Sequence, residues 1–185
     1  VVGIDALRQG NAVTYTTQGK IFFGEKGLRG ASRRVEKVQE LFDRAGINYV
    51  VPDDIIHDMW WKFMINVGIN QASAVLGGTY RLFQTSPEAR DLMASAMQEV
   101  IRLAAEAGVH LTDEDVRTWY TVLDSRNPSG KTSMLQDVEA GRKTEVEMFA
   151  GKVIELGRRC GVPTPVNERL FAEIMRIEGG SKREP

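Results

Sequence analysis

The sequence predicts a mainly α chain, a helical domain that follows the last elements of an α/β domain. Two observations carry this prediction. After Pro52 every apolar pattern has helical spacing and is bracketed by helix-capping residues. Before it come two β-rich runs, an amphipathic helix and a short strand, the order found at the end of an α/β domain. The chain also lacks an initiator methionine and opens on Val1-Val2-Gly3-Ile4, which reads as mid-strand. Residues 1–51 are therefore expected to be the tail of a larger α/β domain, 52–180 a helical domain, and 181–185 a mobile tail.

The elements follow in order. Residues 11–17 and 20–23 are β-rich, and Gln18-Gly19 between them suits a hairpin turn. Residues 31–45 place Val35, Val38, Leu41 and Phe42 on one face of a helix, with charges opposite and Gly46 as its C-terminal cap. Residues 47–51 form a short strand. A long helix is predicted over 53–76, ending at Gly77-Gly78. A second starts at Ser86-Pro87, with proline in its first turn, and ends at Ala107-Gly108. A third opens at Thr112 with Asp113, Glu114 and Asp115 on the positive end of its dipole. It closes before the loop Asn127-Pro128-Ser129-Gly130. A short helix covers 133–140, another 144–159, and the last starts at Thr164-Pro165 and runs out at Gly179-Gly180.

Composition narrows the function. A chain of 185 residues with 42% hydrophobic and 26% charged residues is an ordinary globular protein. A net charge of -1 gives no reason to expect nucleic acid or an anionic membrane as a partner. The single cysteine, Cys160, excludes an internal disulfide framework and fits a reducing, cytoplasmic compartment. No apolar run reaches about 18 residues, so no membrane-spanning helix is expected. His57 and His110 are isolated and no Cys/His/Asp cluster has ligand spacing, so no metal is expected. Neither a G-x-G-x-x-G loop nor a Walker motif occurs.

Chemistry concentrates in two places. Lys62, Asn66 and Asn70 sit four apart in the most apolar run of the chain, which makes one polar stripe on an otherwise hydrophobic helix. Burial lowers a lysine pKa and a nearby carboxylate raises it, so an ammonium held between the two can act as a general acid. The two carboxamides can hold hydroxyl, carbonyl or carboxylate groups. The competing reading is a Lys62 that snorkels to the surface and asparagines that satisfy backbone groups. The second place is 131–147. Ser133 follows a loop and opens a helix, either as a plain N-cap or as part of a carboxylate site. Glu145 opens another helix, and an inward Glu145 would need a cation such as Lys62.

Trp61-Lys62 with Asn66 and Asn70, followed by Ser133-Met134-Leu135-Gln136-Asp137 and Gly141-Arg142-Lys143-Thr144-Glu145, resembles the ketopantoate reductase (2-dehydropantoate 2-reductase) family. The segment Gly161-Val162-Pro163-Thr164-Pro165-Val166-Asn167 resembles that family's closing segment. The resemblance covers roughly residues 20–177. It implies an N-terminal Rossmann domain that binds NADPH, and a C-terminal all-helical domain of the 6-phosphogluconate-dehydrogenase-like type that supplies most of the substrate site. The reaction it implies is NADPH-dependent reduction of ketopantoate to pantoate, in pantothenate and coenzyme A biosynthesis. Lys62 then corresponds to the general acid and Asn66, Asn70 and Ser133 to substrate-binding positions. Glu145 corresponds to a catalytic glutamate that also touches the cofactor. One family asparagine has no counterpart; its place falls near Tyr80. The resemblance also allows a homodimer, with a small 2-oxo acid as the other partner. The cofactor's phosphates would be held outside this chain, so the chain by itself is expected to be inactive.

Two alternatives stay open. One is another 2-oxo-acid or hydroxyacid dehydrogenase of the same two-domain plan. Relatives of 6-phosphogluconate dehydrogenase also place Lys and Asn four apart, but with glycines shortly before the lysine, where this chain has residues 55–61. The other is a non-catalytic helical module for dimerisation or ligand sensing.

Overall fold

The computed structural model describes residues 2–27 and 30–180. The expected mobile tail, 181–185, lies outside the described residues. The chain divides into two compact units, one up to Met59 and one from Trp60.

In the first unit, β1 (Val2–Gln9) and β2 (Ala12–Phe22) form an antiparallel hairpin. Its turn is Gly10-Asn11, with Gly10 at φ 60, a left-handed conformation that glycine adopts without strain. This corrects the hairpin expected at Gln18-Gly19. Those residues continue β2, where Lys20 pairs with Gly3 and Thr17 with Asp5, so that Gln18 and Gly19 together stand opposite Ile4. A bulge absorbs the break in alternation that looked like a turn. Helix α1 (Arg33–Ala45) then crosses to β3 (Tyr49–Val50), which pairs parallel with β2 through Ile21↔Tyr49 and Phe22↔Val50. A parallel pair requires such a crossover. Ser32 caps α1 by accepting from the Val35 N–H at 3.2 Å, and Gly46 ends it at φ 65. Phe23, Phe42 and Tyr49 pack as an aromatic triad, with centroids 5.3–5.8 Å apart, which ties α1 to the sheet.

From α2 (Ile55–Ile65) onward the chain is helical, as the sequence predicts: α3 (Gln71–Leu76), α4 (Tyr80–Thr85), α5 (Pro87–Glu106), α6 (Asp113–Asp124), α7 (Ser133–Glu139), α8 (Lys152–Cys160) and α9 (Pro165–Gly180). The expected single helix over 53–76 is not uniform. A π-helical turn, Asn66–Asn70, separates α2 from α3. A second π turn, Glu147–Gly151, precedes α8. The short α4 is an addition: Gly77-Gly78 ends α3, and six residues re-form a helix before Pro87.

The core of this second unit gathers around α5. Met93, Ala96, Met97, Val100, Leu103 and Ala104 of α5 are buried against Met64, Val67 and Ile69, with Phe83, Trp119, Leu123 and Leu170 closing the cluster. A smaller cluster joins Met134, Val146, Ala150 and Ile174 beneath the second π turn. Gly68 has no Cβ because there is no room for one: Met97 lies within 2.5 Å of where it would stand. At α6, Thr112 Oγ1 accepts from the Glu114 N–H and Asp115 accepts from the Thr112 N–H at 2.8 Å, a reciprocal N-terminal cap. Thr112→Ala is expected to cost about 1 kcal/mol, seen as a lower urea midpoint at unchanged m-value. Among the described residues no helix is long and apolar enough to cross a membrane.

Candidate active site

Lys62 lies in the last turn of α2, and Asn66 and Asn70 open and close the π turn that follows. An α-helix completes a turn in 3.6 residues, so residues four apart overshoot one another; a turn with i→i+5 bonds is wider and brings them closer to eclipsed. The π turn thus widens the backbone between Asn66 and Asn70 while keeping both on the same turn. Lys62 and Asn66 are half-buried and Asn70 is 7% exposed.

Around this stripe the other candidates take different places. The first π turn packs on α7 and on the second π turn. The joint with α7 is a hydroxyl chain: Ser73 Oγ donates to Asn70 O at 3.0 Å and lies 2.5 Å from Thr132 Oγ1. Thr132 in turn accepts from the Leu135 N–H at 3.2 Å, so Thr132, and not Ser133, is the N-cap of α7. Ser133 is the first helical residue and is exposed, which leaves its hydroxyl free of the capping duty. Asn70 and Ser133 are therefore brought to the two sides of one short joint.

Glu145 is not brought to Lys62. Its side chain is exposed, and its carbonyl accepts from the Met148 and Phe149 N–H groups at the start of the second π turn. The preceding residue explains its direction: Thr144 donates through N–H and Oγ1 to Glu178 Oε1 of α9, at 2.8 and 2.6 Å. With Thr144 clamped inward, Glu145 turns out. Among the described residues the Lys62 side chain makes no hydrogen bond or ion pair. Its pKa lies below the ordinary lysine value of 10.5, chiefly because burial disfavours the charge and secondarily because of the Arg126 guanidinium.

Arg126 is a feature that sequence reasoning missed. It follows α6 on a loop moored to α4: Gln84 Nε2 donates to Leu123 O and Arg126 O at 2.9 and 3.0 Å, and the Arg81 N–H donates to Pro128 O at 2.8 Å. Gly130 meets the Tyr80 ring so closely that a Cβ would stand 2.9 Å from it. No spacing rule links residue 126 to residue 62; only the packing of α4 reveals it. Two like charges, with no carboxylate paired to Lys62 among the described residues, make a region complementary to an anion.

A buried polar array lies behind the stripe. Gln71 Nε2 donates to Val67 O at 2.6 Å and to Asn167 Oδ1 at 3.0 Å. Asn167 donates from Nδ2 to Glu99 at 2.7 Å, and the Val166 and Asn167 N–H groups donate to the same carboxylate at 2.8 and 3.0 Å. Glu99 is 1% exposed. Its position on α5, among the buried Ala96, Val100 and Leu103, was a signal available in the sequence.

Residues 54–178, which carry every candidate residue, match the family described as the C-terminal domain of ketopantoate reductase PanE/ApbA. The chain belongs to this family. A 2-dehydropantoate 2-reductase of Pyrobaculum aerophilum is 33% identical over 144 residues, which covers 78% of this chain and 51% of that protein. The 2-dehydropantoate 2-reductase of Mesorhizobium japonicum is 32% identical over 163 residues, covering 86% and 48%. The chain thus spans about half the length of these relatives. A crystal structure of 2-dehydropantoate 2-reductase from Methylococcus capsulatus covers the whole chain with a TM-score of 0.81 at 27% identity, and 63% of that structure is matched. D-Mandelate dehydrogenase in a ternary structure with NADH and anilino(oxo)acetate has a TM-score of 0.86 at 20% identity, with 98% of this chain and 60% of that one covered, a likeness of fold alone. The fold class expected from sequence, a mainly helical ketopantoate-reductase-type domain, is the one found.

Proposed function

We propose that this chain is the substrate-binding and proton-donating half of an NADPH-dependent reductase that converts ketopantoate to pantoate. What carries the reading is the half-buried Lys62, its pKa depressed by burial, beside two carboxamides and with no carboxylate paired to it. A bland surface lysine keeps a solvated charge; this one sits where a charge is costly, in the stripe that this proposal reads as a substrate wall.

The chemistry follows from the residues. Asn66, Asn70 and Ser133 hold the carboxylate and hydroxyl groups of a 2-oxo acid so that its ketone oxygen meets Lys62 Nζ. A nicotinamide cofactor held mainly outside this chain would supply the hydride when bound. The Lys62 ammonium gives its proton to the oxygen as charge develops there, leaving an alcohol and a neutral amine that bulk water reprotonates. Arg126 adds positive potential that draws the acid in. Glu145 serves ligand and cofactor from the exposed start of the second π turn. No glycine-rich phosphate loop occurs in the sequence, so the residues present do not fit the cofactor's phosphates. Residues 1–51 belong, on this proposal, to the cofactor domain of a longer protein, 52–180 form the catalytic domain, and two copies associate as a homodimer.

The decisive experiment gives the full-length protein NADPH and a panel of 2-oxo acids and follows absorbance loss. Turnover with ketopantoate above the others is expected. Preference for another 2-oxo acid would move the protein to the alternative dehydrogenase reading, and no turnover with any would sink both. This chain alone should neither turn over nor bind NADPH tightly.

Arg126 gives a second expected outcome. Arg126→Gln removes one of the two influences that depress Lys62, so the alkaline limb of the pH–rate profile should move to higher pH. Because Arg126 is exposed, the lost attraction is worth at most about 1 kcal/mol, or roughly fivefold in KM. An unchanged profile would show that Arg126 does not reach the reacting group.

A further inference from the structure

We infer that Glu99, Asn167 and Gln71 act as positioning residues for the proposed reaction, a relay that fixes the π turn carrying Asn66 and Asn70. The inference rests on the function proposed above.

The direction of the relay is set at Glu99. A carboxylate can only accept, and here it accepts from the Val166 N–H, the Asn167 N–H and Asn167 Nδ2. That choice orients the Asn167 amide, with Nδ2 toward Glu99 and Oδ1 toward Gln71. An Oδ1 facing Gln71 requires a donor, so Gln71 must present Nε2. The same Nε2 reaches Val67 O at 2.6 Å, inside the π turn and next to Asn66. One buried charge therefore decides the orientation of two amides in succession and delivers a donor to the widened turn. The Gln71 Oε1 atom is left buried without a hydrogen-bond partner, alone in this among the buried side-chain polar atoms of the described residues.

The π turn is also where the stripe is set. Asn70 immediately precedes Gln71, and Asn66 immediately precedes Val67, so tilting either peptide moves a substrate amide directly. A second contact independent of the relay, Ser73 Oγ to Asn70 O, holds the far side of the turn. The turn is thus braced from α5 and α9 through Gln71 and from α7 through Ser73.

Glu99→Gln is the sharpest variant, because it keeps shape while placing an amide donor where the relay needs an acceptor. In the full-length protein it should lower kcat/KM for the 2-oxo acid about tenfold or more, with KM for NADPH unchanged. In an Asn66→Ala/Asn70→Ala background the same substitution should change kcat/KM less than about twofold, because the groups it positions are gone. Additive losses would mark a structural role and overturn the inference. If Glu99→Gln does not fold, Gln71→Met, which keeps volume and removes the whole amide, takes its place in the cycle. Failure of both to fold would mean a core staple, and would overturn it too. Wild-type protein without turnover on any 2-oxo acid sinks the parent function and this role together, whereas turnover with additive variants sinks this role alone.

Discussion

Lys62→Met should reduce turnover of a 2-oxo acid by about 10²-fold or more, the ordinary contribution of a general acid, while making the protein more stable. The two effects share one cause. Burial lowers the Lys62 pKa in the folded chain, with Arg126 adding to it. A lysine with a folded-state pKa below its unfolded value holds fewer protons when folded, in the window between the two. Stability therefore rises with pH across that window, and below it the full cost of the buried ammonium is present. Methionine keeps the apolar stem and removes the charge, so at neutral pH it should stabilise by about 0.5–2 kcal/mol, a usual gain when a functional strain is relieved. The catalytic sign is the opposite. The proton donor is the charged form, so the wild-type rate should fall as pH rises through the Lys62 pKa, and this limb should lie below 10.5. A thermal melt and a pH–rate profile on the same two proteins decide the matter. A lysine that merely snorkels would leave both unchanged. A dimerisation or sensing module would lose stability or association, with no turnover to lose.

Gly68→Ala should be nearly as damaging, although it adds one methyl group and touches no candidate catalytic atom. The new Cβ would stand 2.5 and 2.7 Å from Met97 side-chain atoms and 3.1 Å from the Met93 carbonyl oxygen. Met97 is fully buried, with little freedom to swing away, and the Met93 contact is backbone. Overpacking of this kind costs about 1–3 kcal/mol. Relief must come from the π turn moving off α5, which carries Asn66 and Asn70 with it. A displacement near 1 Å at positioning groups can cost on the order of 10²-fold in rate. The expected signature is a modest fall in denaturation midpoint with a disproportionate fall in kcat/KM. A loss of stability with kinetics intact would show that the stripe does not depend on the packing of Gly68.

The helical architecture was legible because caps and periodicity are local signals. Ser86-Pro87, Thr112 and Gly161 mark helix ends by their own chemistry, and the structure places ends there. The π turns were not legible. Asn66–Asn70 has helical periodicity like its neighbours, while Met97 packs against Gly68 from the distant α5 and Gln71 reaches back to Val67 O, contacts that no periodicity marks. The hairpin was misplaced for a related reason: Gln18-Gly19 has turn chemistry, but cross-strand pairing carries β2 straight through it. In the site, spacing grouped Lys62, Asn66 and Asn70 because one helix holds them. It could not foretell that Thr144 would be clamped by Glu178, which turns Glu145 outward, or that the mooring of α4 would bring Arg126 toward Lys62.

The bond between Gln71 and Asn167 joins residues 96 positions apart, and this has a consequence for how the domain is assembled. Closing so long a loop comes with an entropic penalty that only the docking of α9 can offset. Until α9 arrives, Glu99 lacks the N–H groups it accepts from, Asn167 is not oriented, and Val67 O lacks its side-chain donor. Helices α2 to α7 can collapse first, yet the asparagine stripe reaches its final form only when the last helix seats. On this proposal, competence for substrate therefore follows the docking of α9 and cannot precede it.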